Sequence, residues 1–441
     1  MIAQVIFLVL LGVASFFAYK RFVFVKRNIL LGRNVEVGGD KNQRWNTMFR
    51  VALGQGKMFS RPFAAVMHVF IYVGFIIINI EVIEIIVDGS FGTHRFLSFL
   101  GGFYNFLIGS FEVLALLVLV SCVAFFSRRN IIKLRRFWMP EMTAWPRNDA
   151  NIILITEILL MTAFLFMNAA DYQLQLNQNE HYAHGNHLLG AFPISSHLTA
   201  IIGNMSDASL IMIERGCWWF HIIGILAFTV YLTYSKHLHI ILAFPNTYYS
   251  KLQNAGSFNN LESVTREVKL MMDPNADPYA AAPATDAPQR FGAKDVFDLS
   301  WVQLMSAYSC TECGRCTSAC PANQTGKLLS PRKIMMDTRD RLEAVGTAMD
   351  SNNGQWQDDG KSLIRDYISE EEIWACTTCN ACTDACPVNI NPMEIIVDLR
   401  RYLIMEESKS PDSITAMFNN IENNGAPWAF SPADRGNWAN N

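Results

Sequence analysis

Five long apolar stretches in the first 245 residues constrain the fold of this chain more than any other feature. They cover residues 2–19, 62–87, 103–126, 151–170 and 217–244. A helix needs about 20 residues to cross a bilayer, and each stretch reaches or approaches that length. Charged residues make up only 17% of the 441-residue chain, below the norm of about 25% for soluble domains. We therefore predict a membrane domain of five transmembrane helices over residues 1–250.

The loops between these stretches differ strongly in positive charge. Their Lys and Arg residues number ten in 20–61, six in 127–150, only Arg95 in 88–100 and only Arg215 in 171–215. Positively charged loops remain on the cytoplasmic side of a membrane. The pattern predicts a multi-pass protein of the cell inner (cytoplasmic) membrane, with its amino terminus outside and everything after residue 245 in the cytoplasm. No positive residue precedes the first stretch, and Lys20 and Arg21 follow it, so we predict an anchor and not a cleaved signal peptide.

Eight cysteines after residue 309 form two matching motifs. Residues 310–321 are CTECGRCTSACP and residues 376–387 are CTTCNACTDACP, and each has the C-x2-C-x2-C-x3-C-P spacing of a [4Fe–4S] site whose fourth cysteine serves the other cluster. Zinc is the structural alternative, and disulfides are unfavourable in a reducing cytoplasm. The predicted ligand sets are Cys310, Cys313, Cys316 and Cys386 for the first cluster, and Cys376, Cys379, Cys382 and Cys320 for the second.

The sequence around these motifs predicts an α-helical two-cluster domain over residues 296–405. The 55 residues between Cys320 and Cys376 are too many for a compact βαβ ferredoxin, and they include SPRKIMMDTRDRLEAV, which begins with Ser and Pro as helices often do. Residues 251–295 are predicted to be a linker, since 273–293 are rich in Ala, Pro and Asp. Residues 406–441 form a tail that we expect to dock a partner.

Two histidines of the fifth stretch suggest haem ligation. His221 and His239 are 18 residues apart, which is five helical turns, so on one helix they would face the same side about 27 Å apart. This arrangement suits two stacked b haems with axial imidazoles. His68, early in the second stretch, is predicted to pair with His239, whereas His237 would face another side of the helix. The alternative is that these are hydrogen-bonded histidines at the membrane interface.

The second ligand of His221 is left open by the sequence. His94, just after the second stretch, is the first candidate; the other histidines of the outer loop are His181, His184, His187 and His197. Glu81 and Glu84 lie within the second stretch, and buried carboxylates there either pair with neighbours or carry protons to or from a quinone.

The SKHLHI segment at residues 235–240, the histidine pair and the cysteine motifs carry a family resemblance. The membrane half resembles cytochrome b subunits of the nitrate reductase gamma type, and more closely the membrane halves of heterodisulfide-reductase-like iron–sulfur oxidoreductases. The resemblance implies an all-α fold, with a five-helix dihaem bundle followed by a helical two-cluster module like that of heterodisulfide reductase and succinate dehydrogenase iron–sulfur subunits. This chain departs from the family at Ile78, where a second histidine of the second span is expected.

The end of the chain extends the resemblance. NGAPW, residues 424–428, resembles a stretch that joins longer family members, such as those acting between electron-transfer flavoprotein and menaquinone, to a paired-cysteine domain. No adjacent cysteine pair occurs here, so that domain is expected as a separate partner subunit. The implied function is the membrane subunit of a quinone oxidoreductase that passes electrons from electron-transfer flavoprotein to menaquinone. The alternatives are a quinol-linked heterodisulfide or thiol oxidoreductase subunit, and a non-catalytic relay or anchor. Neither a phosphate-binding glycine loop nor a nucleic-acid-binding face is present.

Overall fold

The computed structural model describes residues 1–182, 188–253, 256–275 and 290–440. Over these ranges the secondary structure is helical, and no β-strand occurs, which confirms the predicted all-α class. The chain divides into two compact units. The membrane unit comprises residues 1–26, 49–244 and 311–313, and the cysteine unit comprises residues 27–48, 245–310 and 314–441.

Eighteen α-helices are assigned within the described ranges. They are α1 (Ile2–Ile29), α2 (Lys41–Met48), α3 (Pro62–Phe91), α4 (Gly102–Asn130), α5 (Trp145–Leu176), α6 (Ser195–Ile202), α7 (Asp207–Leu232), α8 (His239–Tyr248), α9 (Glu262–Met272), α10 (Trp301–Ser309), α11 (Arg315–Ala319), α12 (Pro321–Gln324), α13 (Pro331–Ser351), α14 (Leu363–Asp366), α15 (Glu370–Ala375), α16 (Ala381–Ala385), α17 (Pro392–Met405) and α18 (Asp412–Asn424). Five of them, α1, α3, α4, α5 and α7, are long and apolar enough to cross a membrane. The structure therefore has the predicted number of helices that could span a membrane.

Helix α5 is the centre of the membrane unit. It packs against α4, α6 and α7, and α3 packs against α4. Large apolar side chains such as Phe111 and Phe164 fill the contacts among these helices, while Phe7, Ile85 and Ile222 join α1, α3 and α7 in a second cluster. Packing of this kind stabilises the bundle by dispersion and not by the hydrophobic effect, because lipid tails are as apolar as the side chains themselves.

The fifth span ends earlier than the sequence pattern predicts. Helix α7 stops at Leu232, and a 3-10 turn over Lys236–Leu238 precedes the separate helix α8. Asp149 stabilises this break, since its carboxylate accepts hydrogen bonds from the Ser235 hydroxyl at 2.7 Å and from the Lys236 N–H at 3.2 Å. His221 and His239 therefore lie on different helices, and the prediction that they share one helical face is wrong.

The cysteine unit is built from two similar halves. Within each cysteine motif lies a five-residue helix, α11 in the first and α16 in the second, and these two helices pack against each other. A longer helix follows each motif and begins with a proline, which suits the first helical position because its missing N–H has no partner there. These longer helices, α13 and α17, also contact each other.

A buried arginine fastens α13 to the segments around it. The Arg341 side chain is fully buried, and its guanidinium donates hydrogen bonds to both carboxylate oxygens of Asp295, at 3.0 and 2.7 Å, and to those of Asp359, at 2.6 and 3.0 Å. Arg341 lowers the pKa of Asp359. Such a pair stabilises the fold only while both charges are present.

Replacement of Arg341 by Met should lower the free energy of unfolding by about 3–5 kcal/mol, because two carboxylates lose their partner. Thermal unfolding of the full chain in detergent, followed by circular dichroism, would measure the loss. Arg339→Met on the same helix is the matched control. Its partner Asp340 is half exposed, so the loss there should be about 1 kcal/mol or less. Equal losses in both variants would contradict the assigned role of Arg341.

Candidate functional site

The two cysteine motifs share one unusual backbone pattern. Glu312 and Thr378, each just before the second cysteine of its motif, have φ of 54° and 55°. Gly314 and Asn380, just after it, have φ of 70° and 61°. Left-handed residues are uncommon outside glycine, and two of them around one cysteine turn the chain sharply on both sides. The same left-handed backbone geometry therefore flanks the second cysteine of both motifs.

Two sulfur atoms of the second motif accept hydrogen bonds from backbone N–H groups, and a third cysteine, Cys382, is buried. The Thr378 N–H donates to Cys376 Sγ at 3.4 Å, and the Ile390 N–H donates to Cys386 Sγ at 3.3 Å. Burial raises the pKa of the Cys382 thiol to about 11, and the nearby Cys376 and Cys320 sulfurs contribute in the same direction. Cys320 of the first motif therefore lies close to two cysteines of the second.

The same neighbours act on Cys376. Burial raises the pKa of this thiol, the Cys320 and Cys379 sulfurs raise it further, and the Thr378 N–H and the Arg400 guanidinium lower it. Thiolates that repel one another in a buried site are stabilised by a bound cation. The interactions of Cys376 and Cys382 therefore involve all four cysteines predicted for the second cluster, and these residues fit an iron–sulfur group.

A site for a single metal ion does not occur in the described part of the chain, where no three His, Cys, Asp or Glu side chains are close enough together to bind one. A four-iron cluster makes a different demand, because it takes one thiolate at each iron and so spaces its ligands around a cube.

In the membrane unit, the predicted pair His68 and His239 comes together. Their ring centroids are 6.4 Å apart and the rings are tilted by 43°. Two imidazoles on opposite sides of one iron, each bound at about 2 Å, have centroids roughly 6 Å apart. The separation therefore matches axial ligation of one haem by both rings.

Both rings are oriented by hydrogen bonds at Nδ1. The His68 Nδ1–H donates to Gln55 Oε1 at 3.0 Å, and the His239 Nδ1–H donates to the Lys236 carbonyl oxygen at 3.0 Å. Carbonyl oxygens only accept, so Nδ1 carries the proton and Nε2 offers its lone pair. Metal-binding histidines typically have such partners, which fix the tautomer and the ring orientation.

His237 departs from its predicted position. Its ring centroid is 5.5 Å from that of His239 and 5.4 Å from that of Phe228. The prediction that it faces another side of the fifth span is wrong, because residues 236–238 form a 3-10 turn and not a continuation of α7.

His221 lies deep in the bundle and is only 2% exposed. Its Nδ1–H donates to the Leu160 carbonyl oxygen at 3.1 Å, and its ring packs beside Phe164. His221 therefore has the same oriented imidazole as the other two histidines, with Nε2 available for a ligand.

His94 lies among polar groups. Its Nε2 is 3.8 Å from Asp171 Oδ2, and its ring is 6.0 Å from that of His181. Burial lowers the pKa of His94 to about 4, and Arg215 is among the nearby charges. His221 lies six residues beyond Arg215, about 9 Å along α7, and the pairing of His94 with His221 stays a prediction. The candidates His184 and His187 lie outside the described residues.

Glu84 belongs to a buried polar network where α3 ends and α4 begins. Its carboxylate accepts a hydrogen bond from the Tyr104 hydroxyl at 3.1 Å. The Arg95 guanidinium donates to the same hydroxyl oxygen at 3.0 Å and to Asp171 Oδ2 at 2.7 Å. Sequence reasoning missed Arg95 and Asp171 as members of a site, although a lone arginine in a loop otherwise without Lys or Arg was a usable signal.

Comparison with known proteins identifies related oxidoreductases. Residues 309–390 match the family of 4Fe-4S dicluster domains. A probable iron-sulfur-binding oxidoreductase, FadF, of Bacillus subtilis is 29% identical to this chain over 97% of the chain and 60% of its own length. The EtfAB:quinone oxidoreductase of Syntrophomonas wolfei is 25% identical over 90% of this chain and 54% of its own length. A heterodisulfide reductase subunit of Methanosarcina acetivorans is 28% identical over 27% of this chain and 60% of its own length.

These similarities support the broad predictions. The chain spans little more than half the length of the two long relatives, and no solved structure matches it significantly. The matched dicluster family supports the predicted iron–sulfur clusters, and the relatives' names support the prediction of an iron–sulfur oxidoreductase. The five apolar helices and a relative named as a probable membrane-anchored ferredoxin support membrane association.

Proposed function

We propose that this chain is the membrane subunit of a quinone oxidoreductase, which carries electrons from electron-transfer flavoprotein through two [4Fe–4S] clusters and b haems to menaquinone. A paired-cysteine iron–sulfur subunit would connect it to the flavoprotein. The observation that carries the proposal is the similarity, over 90% of the chain, to a protein named EtfAB:quinone oxidoreductase. It is supported by five apolar helices and two cysteine motifs in one chain.

The chain's own residues would bind and orient these groups. Bound clusters and haems supply one-electron transfer, which no amino-acid side chain here provides. The eight motif cysteines would hold the clusters. His68 and His239 would bind one haem, and His221 would be one ligand of the second haem. His94 is the proposed candidate for the other ligand of that haem. Glu81 and Glu84 are the proposed proton or quinone groups.

Membranes containing the chain and its partner should reduce a menaquinone analogue when reduced electron-transfer flavoprotein is supplied, and Cys313→Ser should abolish that rate. Cys217→Ser is the matched control, since Cys217 packs against apolar side chains of the membrane unit and should not affect the rate. Quinone absorbance measures the reaction. If the flavoprotein reduces no cofactor while a dithiol does, the proposed donor is wrong.

A second candidate function reverses the direction of electron flow. The similarity to the heterodisulfide reductase subunit extends over 27% of the chain and favours a protein that passes electrons from quinol to a cytoplasmic disulfide. Reduction of the cofactors by a dithiol, together with disulfide-dependent oxidation of a quinol, would favour this function. A relay or anchor without its own quinone chemistry is favoured if the purified chain reacts with neither quinone nor quinol.

His68→Ala and His239→Ala should each remove the same b haem, because one iron needs both imidazoles. Reduced-minus-oxidised optical spectra and haem content measure the loss. His237→Ala is the matched control in the same cluster of rings and should retain that haem. If His237→Ala loses the haem and His68→Ala retains it, His237 is the ligand instead.

Cys320→Ser and Cys386→Ser form a matched pair that tests the crossed ligand sets. Cys320→Ser should convert or remove the cluster held by Cys376, Cys379 and Cys382, while Cys386→Ser should affect the cluster held by Cys310, Cys313 and Cys316. Electron paramagnetic resonance of the reduced variants distinguishes the two signals. Each cysteine damaging the cluster of its own motif would reject the crossed scheme.

A further inference from the structure

A set of buried ionisable side chains occupies the end of the membrane unit where α3 ends and α4 begins. Its members come from α3, the following loop, α4 and α5: Glu81, Glu84, Arg95, Glu112 and Asp171. None of them is more than 7% exposed. Glu81 interacts electrostatically with each of the other four, so they form one group.

Direct contacts join most of this group. Asn168 links its two sides, because its amide nitrogen donates to Glu112 Oε1 at 3.2 Å and its amide oxygen accepts from Arg95 at 3.3 Å. The Ile194 and Ser195 N–H groups donate to Glu112 Oε2 at 2.9 and 3.1 Å. Asp171 therefore contacts the guanidinium directly, while Glu84 and Glu112 are linked to it through Tyr104 and Asn168.

The backbone at Arg95 is specialised for this position. Arg95 has φ of 53°, a strained left-handed conformation that persists only where neighbours impose it. Asp88 supplies that constraint, because its carboxylate accepts hydrogen bonds from the Arg95 N–H at 2.9 Å and the Phe96 N–H at 3.1 Å. The loop is thus held in the shape that directs the guanidinium inward.

Charge balance favours a proton in this group. Four carboxyl groups lie near one guanidinium, and if all were ionised the cluster would carry three more negative than positive charges. Hydrogen-bond donors stabilise the ionised forms of Glu84, Glu112 and Asp171, whereas burial of a charge without partners is unfavourable, so the proton is best placed on Glu81. The groups at the edge do not remove the excess, because His94 is neutral at pH 7, Asp88 adds negative charge, and Arg215 pairs with Glu214.

Glu81 is the member of this group that has an unpartnered oxygen atom. Its Oε2 is buried and, among the residues that the structure describes, has no hydrogen-bond partner. Ile78 and Ile85, about one turn away on either side, belong to the two apolar clusters of the bundle. A protonated Glu81 therefore offers one hydrogen bond in apolar surroundings, which suits the carbonyl oxygen of a lipid-soluble quinone.

We propose that Glu81, Glu84, Glu112, Asp171 and Arg95 form a proton-holding site that supplies protons to a quinone bound beside Glu81. This proposal rests on the proposed quinone function. Reduction of a quinone to a quinol consumes two electrons, which the bound redox groups supply, and two protons, which the carboxyls supply. The carboxyls regain protons from water at the end of α3, where Asp88 is partly exposed. Arg95 and Asp171 act as positioning residues, because the Arg95 guanidinium favours ionised carboxyls and its pairing with Asp171 limits that effect at Glu81.

The kinetic test is the reoxidation of the dithionite-reduced full chain by menadione across a range of pH, which needs no protein donor. Glu81→Gln keeps the shape but cannot release a proton, and should slow reoxidation by about 10²-fold and flatten its pH profile. Glu157→Gln, on α5 beside Cys122 and outside the set, should retain the wild-type rate. A wild-type rate and pH profile in Glu81→Gln would overturn the proposal.

Infrared difference spectra between oxidised and reduced protein give a readout without quinone. The C=O band of a protonated carboxyl should respond to reduction in the wild type and disappear in Glu81→Gln. In a second variant, Asp171→Asn, Arg95 loses its carboxylate partner and therefore favours the ionised form of Glu81 more strongly. The band of the protonated carboxyl should then weaken. If menadione does not oxidise even the wild type, the proposed quinone function fails, while the band still reports the proton site. Absence of the C=O band from the wild-type spectrum overturns the proposed proton site itself.

Discussion

Two buried carboxylates of helix α5 organise the two ends of the membrane unit. Asp149 and Asp171 are 22 residues apart, about 33 Å along a helix and close to the roughly 30 Å thickness of a bilayer core. Asp149 accepts hydrogen bonds from the chain at Ser235 and Lys236, and Asp171 pairs with Arg95. Because polar groups in apolar surroundings must find partners within the protein, each carboxylate determines the path of the loop that meets it.

The histidine pair depends on the first of these contacts. Asp149 holds the chain out of helical conformation at Ser235, and the carbonyl oxygen of the next residue, Lys236, orients the His239 ring. On the other side, Gln55 orients His68 although its own φ is 51°. Both imidazoles are thus positioned by irregular backbone next to the helices. A change at Asp149 would therefore affect His239 through the two residues that Asp149 contacts, Ser235 and Lys236.

Features of the fold that depend on neighbouring residues in the sequence could be predicted, whereas features that depend on contacts between distant segments could not. The five spans and the cysteine loops follow from local patterns, since length, hydropathy and motif spacing act within one segment. The end of the fifth span does not, because the apolar run continues to residue 244. In the structure the break is stabilised by the Ser235 hydroxyl, which accepts from the His237 N–H, and by the Asp149 carboxylate of another helix. The position of His237 was wrong for the same reason. In the sequence, Arg95 was treated only as a charge of the outer loop. The inward direction of its side chain depends on contacts with Asp88 and Asp171, which are distant in the sequence or act through the backbone.

The position of the carboxyl group relative to the histidines bears on how electrons and protons are coupled. Glu81 lies 13 residues after His68 on α3, about 20 Å along the helix, and His221 lies within the bundle on α7. Under the proposed function, an electron on a group bound by His221 would add a negative charge to a medium of low dielectric constant. Between two charges about 10 Å apart at an effective dielectric constant near 20, the interaction is about 1.7 kcal/mol, and it raises the free energy of ionising a carboxyl. Electrons arriving there would therefore increase the proton affinity of the carboxyl set, and the Arg95 guanidinium would oppose that increase.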